Sequence, residues 1–406
     1  MAISNGVKIK SIKNLRNLRG KKVLVRCDFN VGIENPPSPK GSGEARGKII
    51  DDFKIVQSLP TIRFLISKGA KVILMTHLGR PDGKKVVSLK LSPISTRLTK
   101  LLDKKVKYIN DCVGQKAQNA VDKMKNGQIV LLENLRFYKE EESNDVEFAE
   151  RLAELADVYV NNAMAVSHRA HASVDKIKKF LTSYAGLLLQ QELTNLNKVL
   201  HPRKPLVVII GGAKINTKVS VIKNLAKKAD AILIGGMITY DFLAAKKLST
   251  GKFKVDKVNK KLAKKLLSKK VILPVDFISA SKADGKGEIV VVPANKLPKN
   301  NFQLDIGPET IRLYAKFLKN THTIIWNGPM GMFEQKRFKN GTLAIARLVS
   351  TVSSGQAFGV VGGGETVTAL KQTKMIEHVD WVSTSGGAML QYLAGEKMPG
   401  LKGIIK

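Results

Sequence analysis

Cysteine is nearly missing from this chain: Cys27 and Cys112 are the only two among 406 residues. That rules out a disulfide framework and leads us to expect a reducing, cytoplasmic setting. Acidic residues are also scarce, 33 against 69 basic ones, for a formal charge of +36. The six histidines and two cysteines show no HExxH or Cys/His spacing, so the usual zinc sites are excluded. No apolar run approaches the roughly 20 residues of a membrane span. The opening MAISNGVKIKSIKN has no apolar stretch of the secretory kind. GxxxxGK[ST] does not occur, nor does GxGxxG after the first strand-like run. A P-loop NTPase and a typical dinucleotide enzyme are thereby excluded.

What is abundant is lysine, spread from Lys8 to Lys406 and lying on the polar faces of helical stretches such as KNLAKKAD and NKKLAKKLLSKK. A dedicated nucleic-acid surface would concentrate charge and add a recognition motif. Neither is present, so we read the charge as composition. Hydrophobic residues at 43% supply ample core for two domains of roughly 200 residues each.

Short β-branched runs alternate with amphipathic helical stretches from end to end. In the first half VLVRCDF (23–29), KVILMTH (71–77), VKYI (106–109), IVLL (129–132) and VYVN (158–161) read as strands. In the second half LVVII (206–210), AILI (231–234), VIL (271–273), TIIW (323–326), FGVV (358–361) and DWVS (380–383) do the same. Fully apolar strands separated by helices imply parallel sheets covered on both faces. The expected fold is α/β: two doubly wound parallel-sheet domains joined by a long interdomain helix, with the active site in the cleft between them. The expected bounds are 1–184, the helix 185–200 (AGLLLQQELTNLNKVL), 201–391, and a tail 392–406 packing back on the first domain. The Pro/Gly/Ser-rich segment 32–48 reads as an exposed, mobile loop, and GEIVVV (287–292) as a sheet-like decoration of the second domain.

Ligands of doubly wound sheets bind beyond the carboxyl ends of the strands. In the first half those ends carry Arg26, Asp28 and Asn30, then His77 and Arg80, then Arg136, then Asn161 leading to His168, Arg169 and His171. A single such arginine is usually a surface ion pair. Four strand ends repeating the pattern suit a small, multiply anionic ligand, because guanidinium forks pair bidentately with carboxylate and phosphate. In the second half the ends are glycine-rich: Gly211-Gly212, Gly235-Gly236, Asn327-Gly328, Gly362-Gly363-Gly364 and Gly386-Gly387. Glycine lets backbone amides approach a phosphate, and a following helix N-terminus adds partial positive charge. One such loop is commonly just a connector; five in one half point to a polyphosphate ligand.

With these features in order, the chain resembles the phosphoglycerate kinase family over its whole length. The resemblance rests on RCDFNV, LPTIRFLISKGAKVILMTHLGRPDG, LLENLRFYKEEE, HRAHAS, GGAKINTK, LDIGPET, WNGPMGMFE, GGGET and STSGGA. It implies reversible transfer of the acyl phosphate of 1,3-bisphosphoglycerate to ADP, giving 3-phosphoglycerate and ATP with Mg2+, a step of glycolysis and gluconeogenesis. It also implies a phosphoglycerate pocket of Asp28, Asn30, Lys54, His77, Arg80, Arg136 and Arg169. The nucleotide side would comprise Gly212, Lys218, Gly235, Asn327, Glu334 for the ribose, Gly362, Gly363, Gly364 and Glu365, with Glu365 also serving the metal. Lys54, Lys214, Gly363 and Gly386 would be catalytic. We further expect a monomer, no membrane partner, and closure about the 185–200 helix.

Several positions depart from the family. Lys54 replaces the usual Arg, keeping the charge but losing the planar fork, so lower turnover or a compensating neighbour such as Arg46 is expected. Glu365 replaces Asp, Ser385 and Gln303 replace frequent glycines, and VNNAM replaces VNDAF. GGMITYDFL carries two glycines, as in archaeal members. The rival readings are a catalytically weakened relative with a binding role, a nucleic-acid binder, and a kinase for another small acid.

Overall fold

The computed structural model describes residues 2–4, 6–34, 47–284 and 286–405. The chain divides into two compact units, the first reaching Thr194 and including the segment from Lys397, the second being Asn195–Glu396. Most of the expected mobile loop, and Arg46 with it, lies outside the described residues. No described helix is long and apolar enough to cross a membrane.

The first unit is built on strands β1 (Lys22–Arg26), β2 (Lys71–Met75), β3 (Val106–Tyr108), β4 (Ile129–Leu131), β5 (Val158–Asn161) and β6 (Ser183–Ala185). They pair in parallel in the order β6-β5-β1-β2-β4-β3. Successive residues of each strand enter opposite cores. Val23, Val25, Val72, Leu74 and Leu131 pack on one face, and Leu24, Ile73, Met75 and Val130 on the other. This is why the runs read as continuously apolar. The helix Phe53–Ser67 buries Ile55, Leu59, Ile62 and Leu65 at helical spacing against the first of these cores, with Pro60 on its exposed side.

The second unit contains β7 (Leu206–Ile210), β8 (Ala231–Ile234), β9 (Val271–Ile272), β10 (Asp276–Ala280), β11 (Ile289–Pro293), β12 (Phe302–Ile306), β13 (Thr323–Asn327), β14 (Phe358–Gly362) and β15 (Trp381–Ser383). Its parallel sheet has the order β9-β8-β7-β13-β14-β15. The chain winds outward from β7 through β8 to β9, then returns to β13 on the other side. The reversal opens a crevice at the carboxyl ends of β7 and β13, the standard ligand position of such sheets. The three remaining strands form an antiparallel sheet, β11-β10-β12.

The structure adds to the strand-by-strand expectation at three places. GEIVVV does form an edge strand, but with two strands, β10 and β12, that were not foreseen. The expected helix 185–200 starts at Leu187, because Tyr184 and Ala185 belong to β6 and Gly186 sits where a Cβ would lie 2.2 Å from Asn162 Oδ1. The C-terminal segment is tied down within the first unit: Gly400 N–H donates to Ser167 O at 2.8 Å, and Asn161 Nδ2 donates to Gly400 O at 3.0 Å.

Candidate active site

In the first unit the expected residues follow β1, β2, β4 and β5, so the parallel sheet itself brings them to one end. Lys54 reaches the same end from the first turn of the helix Phe53–Ser67. Its Nζ lies 2.7 Å from Asp28 Oδ2. Asp28 Oδ1 accepts the Asn30 amide at 3.1 Å, and Asn30 Oδ1 accepts the Gly79 amide at 3.0 Å, which ties the β1 and β2 loops together. Arg136 donates from NH1 to Gly79 O at 2.7 Å and pairs through Nε with Glu142 at 3.1 Å. Arg169 Nε donates to His168 Nε2 at 3.2 Å, while Arg80 is exposed.

His77 is buried, and its basicity is held well below the usual histidine range, first by burial and then by Arg26, Arg136, Lys54 and Arg169. Those four cations therefore crowd one imidazole and keep it neutral. Arg26 NH2 lies 3.3 Å from His77 Nδ1. A guanidinium can only donate, so Nδ1 is the acceptor and Nε2 carries the proton. Burial, with Arg26 next, pushes His171 down to about 3. Its 3.7 Å approach to Glu141 is accordingly a neutral contact and not an ion pair.

Behind this pocket lie Arg26, which was expected to face the ligand from its strand end, and Glu141, which was not singled out from sequence. Arg26 is fully buried, donates from Nε to Ser173 Oγ at 2.9 Å, and lies 3.8 Å from Glu141. Glu141, also fully buried, accepts from Ser173 Oγ at 2.6 Å and Ser173 N at 2.9 Å. Together they fix the HRAHAS segment against the sheet. The signal lay in RCDFNV and KEEE, but nothing local distinguishes a buried charge from a surface one. A cavity of about 1000 Å³ in the first unit lies elsewhere, against the helix Ser92–Leu102, and none of the expected residues lines it.

In the second unit the glycine loops meet at the β7/β13 switch point. Gly211 and Gly328 permit mutual contact: a Cβ on Gly328 would lie 2.4 Å from the Gly211 backbone, and one on Gly211 would lie 2.1 Å from Pro329 O. Gly235 is likewise a packing glycine, its amide taken by Ile210 O at 2.9 Å and its open side filled by Met330. Gly362 packs on Met389 in the same way. By contrast, a Cβ on Gly212, Gly364, Gly386 or Gly387 would meet no atom of a described residue within 4 Å. Gly364 opens the ten-residue helix Gly364–Thr373, whose first amides have no helical acceptor.

Asn327 links this frame: its Nδ2 donates to Gly362 O at 2.7 Å and its Oδ1 accepts from Lys218 Nζ. Burial lowers Lys218 to about 8, partly offset by Glu365. Glu365 is itself raised, by burial and then by the nearby Glu334. Lys214 is exposed. A cavity of about 570 Å³ opens beside the switch point, lined by Gly212, Tyr240, Phe253, Asp305, Glu334 and Glu365 among others. Tyr240 and Phe253 stack at 4.3 Å with an interplanar angle of 11°. Asp305 is buried, accepts the Ile306 and Gly341 amides at 2.9 and 2.7 Å, and is pushed by burial up to about 7.

A cationic strand-end pocket on one doubly wound unit and a glycine-framed crevice on another are the make-up of a two-unit α/β phosphotransferase. A model of the phosphoglycerate kinase family matches residues 12–396. The chain is 42% identical over 405 residues to a phosphoglycerate kinase of Pelotomaculum thermopropionicum, covering 98% of this chain and 99% of that one. It is 44% identical over 400 residues to one of Moorella thermoacetica, covering 96% and 98%. Solved structures of phosphoglycerate kinase from Coxiella burnetii (TM-score 0.81, 36% identity, covering 98% of this chain and 99% of that one) and Pyrococcus horikoshii OT3 (0.83, 30%, covering 98% of each) share the fold. The chain belongs to the phosphoglycerate kinase family.

Proposed function

We propose that this chain catalyses reversible phosphoryl transfer between the acyl phosphate of 1,3-bisphosphoglycerate and ADP, a step of glycolysis and gluconeogenesis. Family membership over residues 12–396 is the observation that carries the reading. The β-phosphate oxygen of ADP forms the new P–O bond, the bond to the acyl oxygen breaks, and the carboxylate of 3-phosphoglycerate leaves with the electron pair. No protein nucleophile is needed, so the protein's task is positioning and charge stabilisation.

On this reading Asn30, Arg80, Arg136 and Arg169 hold the phosphoglycerate. His77 contributes its Nε2–H as a neutral donor, and Asp28 both binds and holds Lys54. Lys54 and Lys214 stabilise the transferring phosphoryl oxygens together with the amides at Gly363 and Gly386. Gly212, Asn327, Lys218 and the Gly363–Gly364 turn hold the nucleotide phosphates, with Gly235 and Gly362 packed behind them as part of the frame, and Glu334 holds the ribose hydroxyls. The lowered basicity of Lys218 supports its place there, since a buried ammonium short of counter-charge is stabilised by an incoming phosphate.

Among the described residues no three His, Cys, Asp or Glu side chains gather as a metal cage. One carboxylate, Glu365, at a helix start beside Glu334, nevertheless fits Mg2+ of the kind carried mainly by nucleotide phosphates and water. Bound there, Mg2+ would neutralise charge between the phosphates. The same reading takes the chain as a cytoplasmic monomer, supported by the free, buried thiols Cys27 and Cys112 and by both half-sites residing on one chain.

The test is the reverse reaction: purified chain with 3-phosphoglycerate, Mg-ATP and hydroxylamine. Catalytic accumulation of the acyl hydroxamate and ADP supports the reading. ATP binding without hydroxamate would favour the weakened, binding-only relative.

A further inference from the structure

The base end of the nucleotide cavity carries a polar group that no described residue satisfies. Gln303 is 8% exposed and lines the cavity with Phe302, Tyr240 and Phe253. Its main chain is clamped by one hydroxyl: Gln303 N–H donates to Tyr240 Oη at 2.6 Å, and Tyr240 Oη donates to Gln303 O at 3.0 Å. Tyr240 is in turn stacked on Phe253. The side-chain Nε2 donates to Gly236 O at 3.0 Å, so the amide cannot be flipped without setting two oxygens against each other. The outward consequence is that Oε1 is an acceptor, and it is buried with no hydrogen-bond partner among the described residues. A buried unpaired acceptor is costly and calls for an explanation, such as a ligand that completes it.

The chemistry beside it narrows the ligand. Aromatic side chains and Met237, Met330 and Met332 give an apolar slot for a flat ring, and the thioether side chains make that wall adaptable enough to uncover the shielded oxygen. A donor is wanted, since the unpartnered atom is the acceptor Oε1, whereas Nε2 already donates one of its two N–H groups to Gly236 O. We propose that Gln303 is a specificity-determining residue: its Oε1 accepts a hydrogen bond from the exocyclic amine of a 6-aminopurine. The inference rests on the kinase reading above. A hypoxanthine base places a carbonyl oxygen at the same point and meets repulsion. An unsubstituted purine loses the bond and leaves the acceptor unpaired. One neutral hydrogen bond corresponds to about a three- to ten-fold preference.

The experiment measures kcat/KM for phosphoryl transfer from 1,3-bisphosphoglycerate to ADP, inosine diphosphate and purine riboside diphosphate, in the wild type and in Gln303→Met. The wild type is expected to prefer ADP over both by about three- to ten-fold or more. The variant is expected to bring the ratios close to unity, with the change in KM rather than kcat. Loss of the strut to Gly236 would weaken all three diphosphates alike, so the ratio isolates the recognition role. A wild type indifferent to the 6-substituent overturns the inference even if the variant fails to fold. So does a variant that keeps the wild-type ratio. If no diphosphate is phosphorylated, the kinase reading fails first.

Discussion

Replacing Lys54 tests the least conventional part of the pocket. Its ammonium lies 2.7 Å from Asp28 Oδ2, with side-chain exposures of 31% and 7%. At an effective dielectric of about 20 the direct attraction at this distance is on the order of 6 kcal/mol, before either ion's lost hydration is counted. Desolvation and the exposure of Lys54 reduce the net effect, so Lys54→Met should cost about 1–2 kcal/mol of stability. In a unit of this size that lowers Tm by roughly 2–8 °C. If Lys54 also stabilises the phosphoryl group in transit, kcat should fall about 10²–10³-fold, far more than the stability change explains. An ammonium has three donors and the Asp28 bond uses one, whereas a guanidinium offers five in a planar fork. Lys54→Arg should therefore keep the Asp28 contact and raise kcat about two- to ten-fold, equivalent to one added hydrogen bond. Steady-state kinetics with thermal melts of both variants decide it. A Lys54→Met enzyme with kcat within a few-fold of wild type and a lowered Tm would make Lys54 a purely structural partner of Asp28. An unchanged rate in Lys54→Arg would refute the view that lysine limits turnover here.

Four further outcomes are expected. Lys218 loses its proton near 8 in the free enzyme, so kcat/KM for the nucleotide should fall as pH rises through about that value, and Lys218→Arg should abolish this limb. Burial raises Asp305 to about 7, so the native state binds more protons than the unfolded chain between its unfolded value of about 3.9 and 7. Its stabilisation is complete below that unfolded value and lost as pH rises through 7, with a slope approaching 1.4 kcal/mol per pH unit. Urea melts of Asp305→Asn across this range should show the slope flattened. Gly364→Ala introduces a Cβ into space where nothing lies within 4 Å, so Tm should hold while the KM for ATP rises; a large Tm loss would mean the loop is under packing constraint. Nucleic-acid affinity measured across a salt series should be weak and purely salt-driven, and a sequence-specific component that persists at high salt would contradict the compositional reading of the charge.

Much of this architecture was legible because each parallel strand is apolar on both faces. Val23, Leu24 and Val25 alternate between two cores, so the run shows no polar residue to blur it. The strands that escaped notice lack that property. β6 has only three residues, and in β12 buried Gln303 and Asp305 interrupt the apolar pattern because they serve the cavity instead. The candidate site was legible in its outer residues, since Asp28, His77, Arg136 and the glycine loops all lie in the segments that follow strands. What lay behind it was not. Whether Arg26 and Glu141 are buried or exposed depends on what packs over them, and Ser173 reaches Arg26 across 147 positions. Gly235 and Gly364 look alike in sequence, yet one is filled by Met330 and the other faces open space.

The most direct measurement is the 31P spectrum of the purified chain mixed with 1,3-bisphosphoglycerate, ADP and Mg2+. The account predicts that the acyl-phosphate resonance disappears as the γ-phosphate of ATP grows in equal amount, at catalytic concentrations of the chain. Decay of the acyl phosphate to inorganic phosphate at the uncatalysed rate, with no ATP formed, would contradict it.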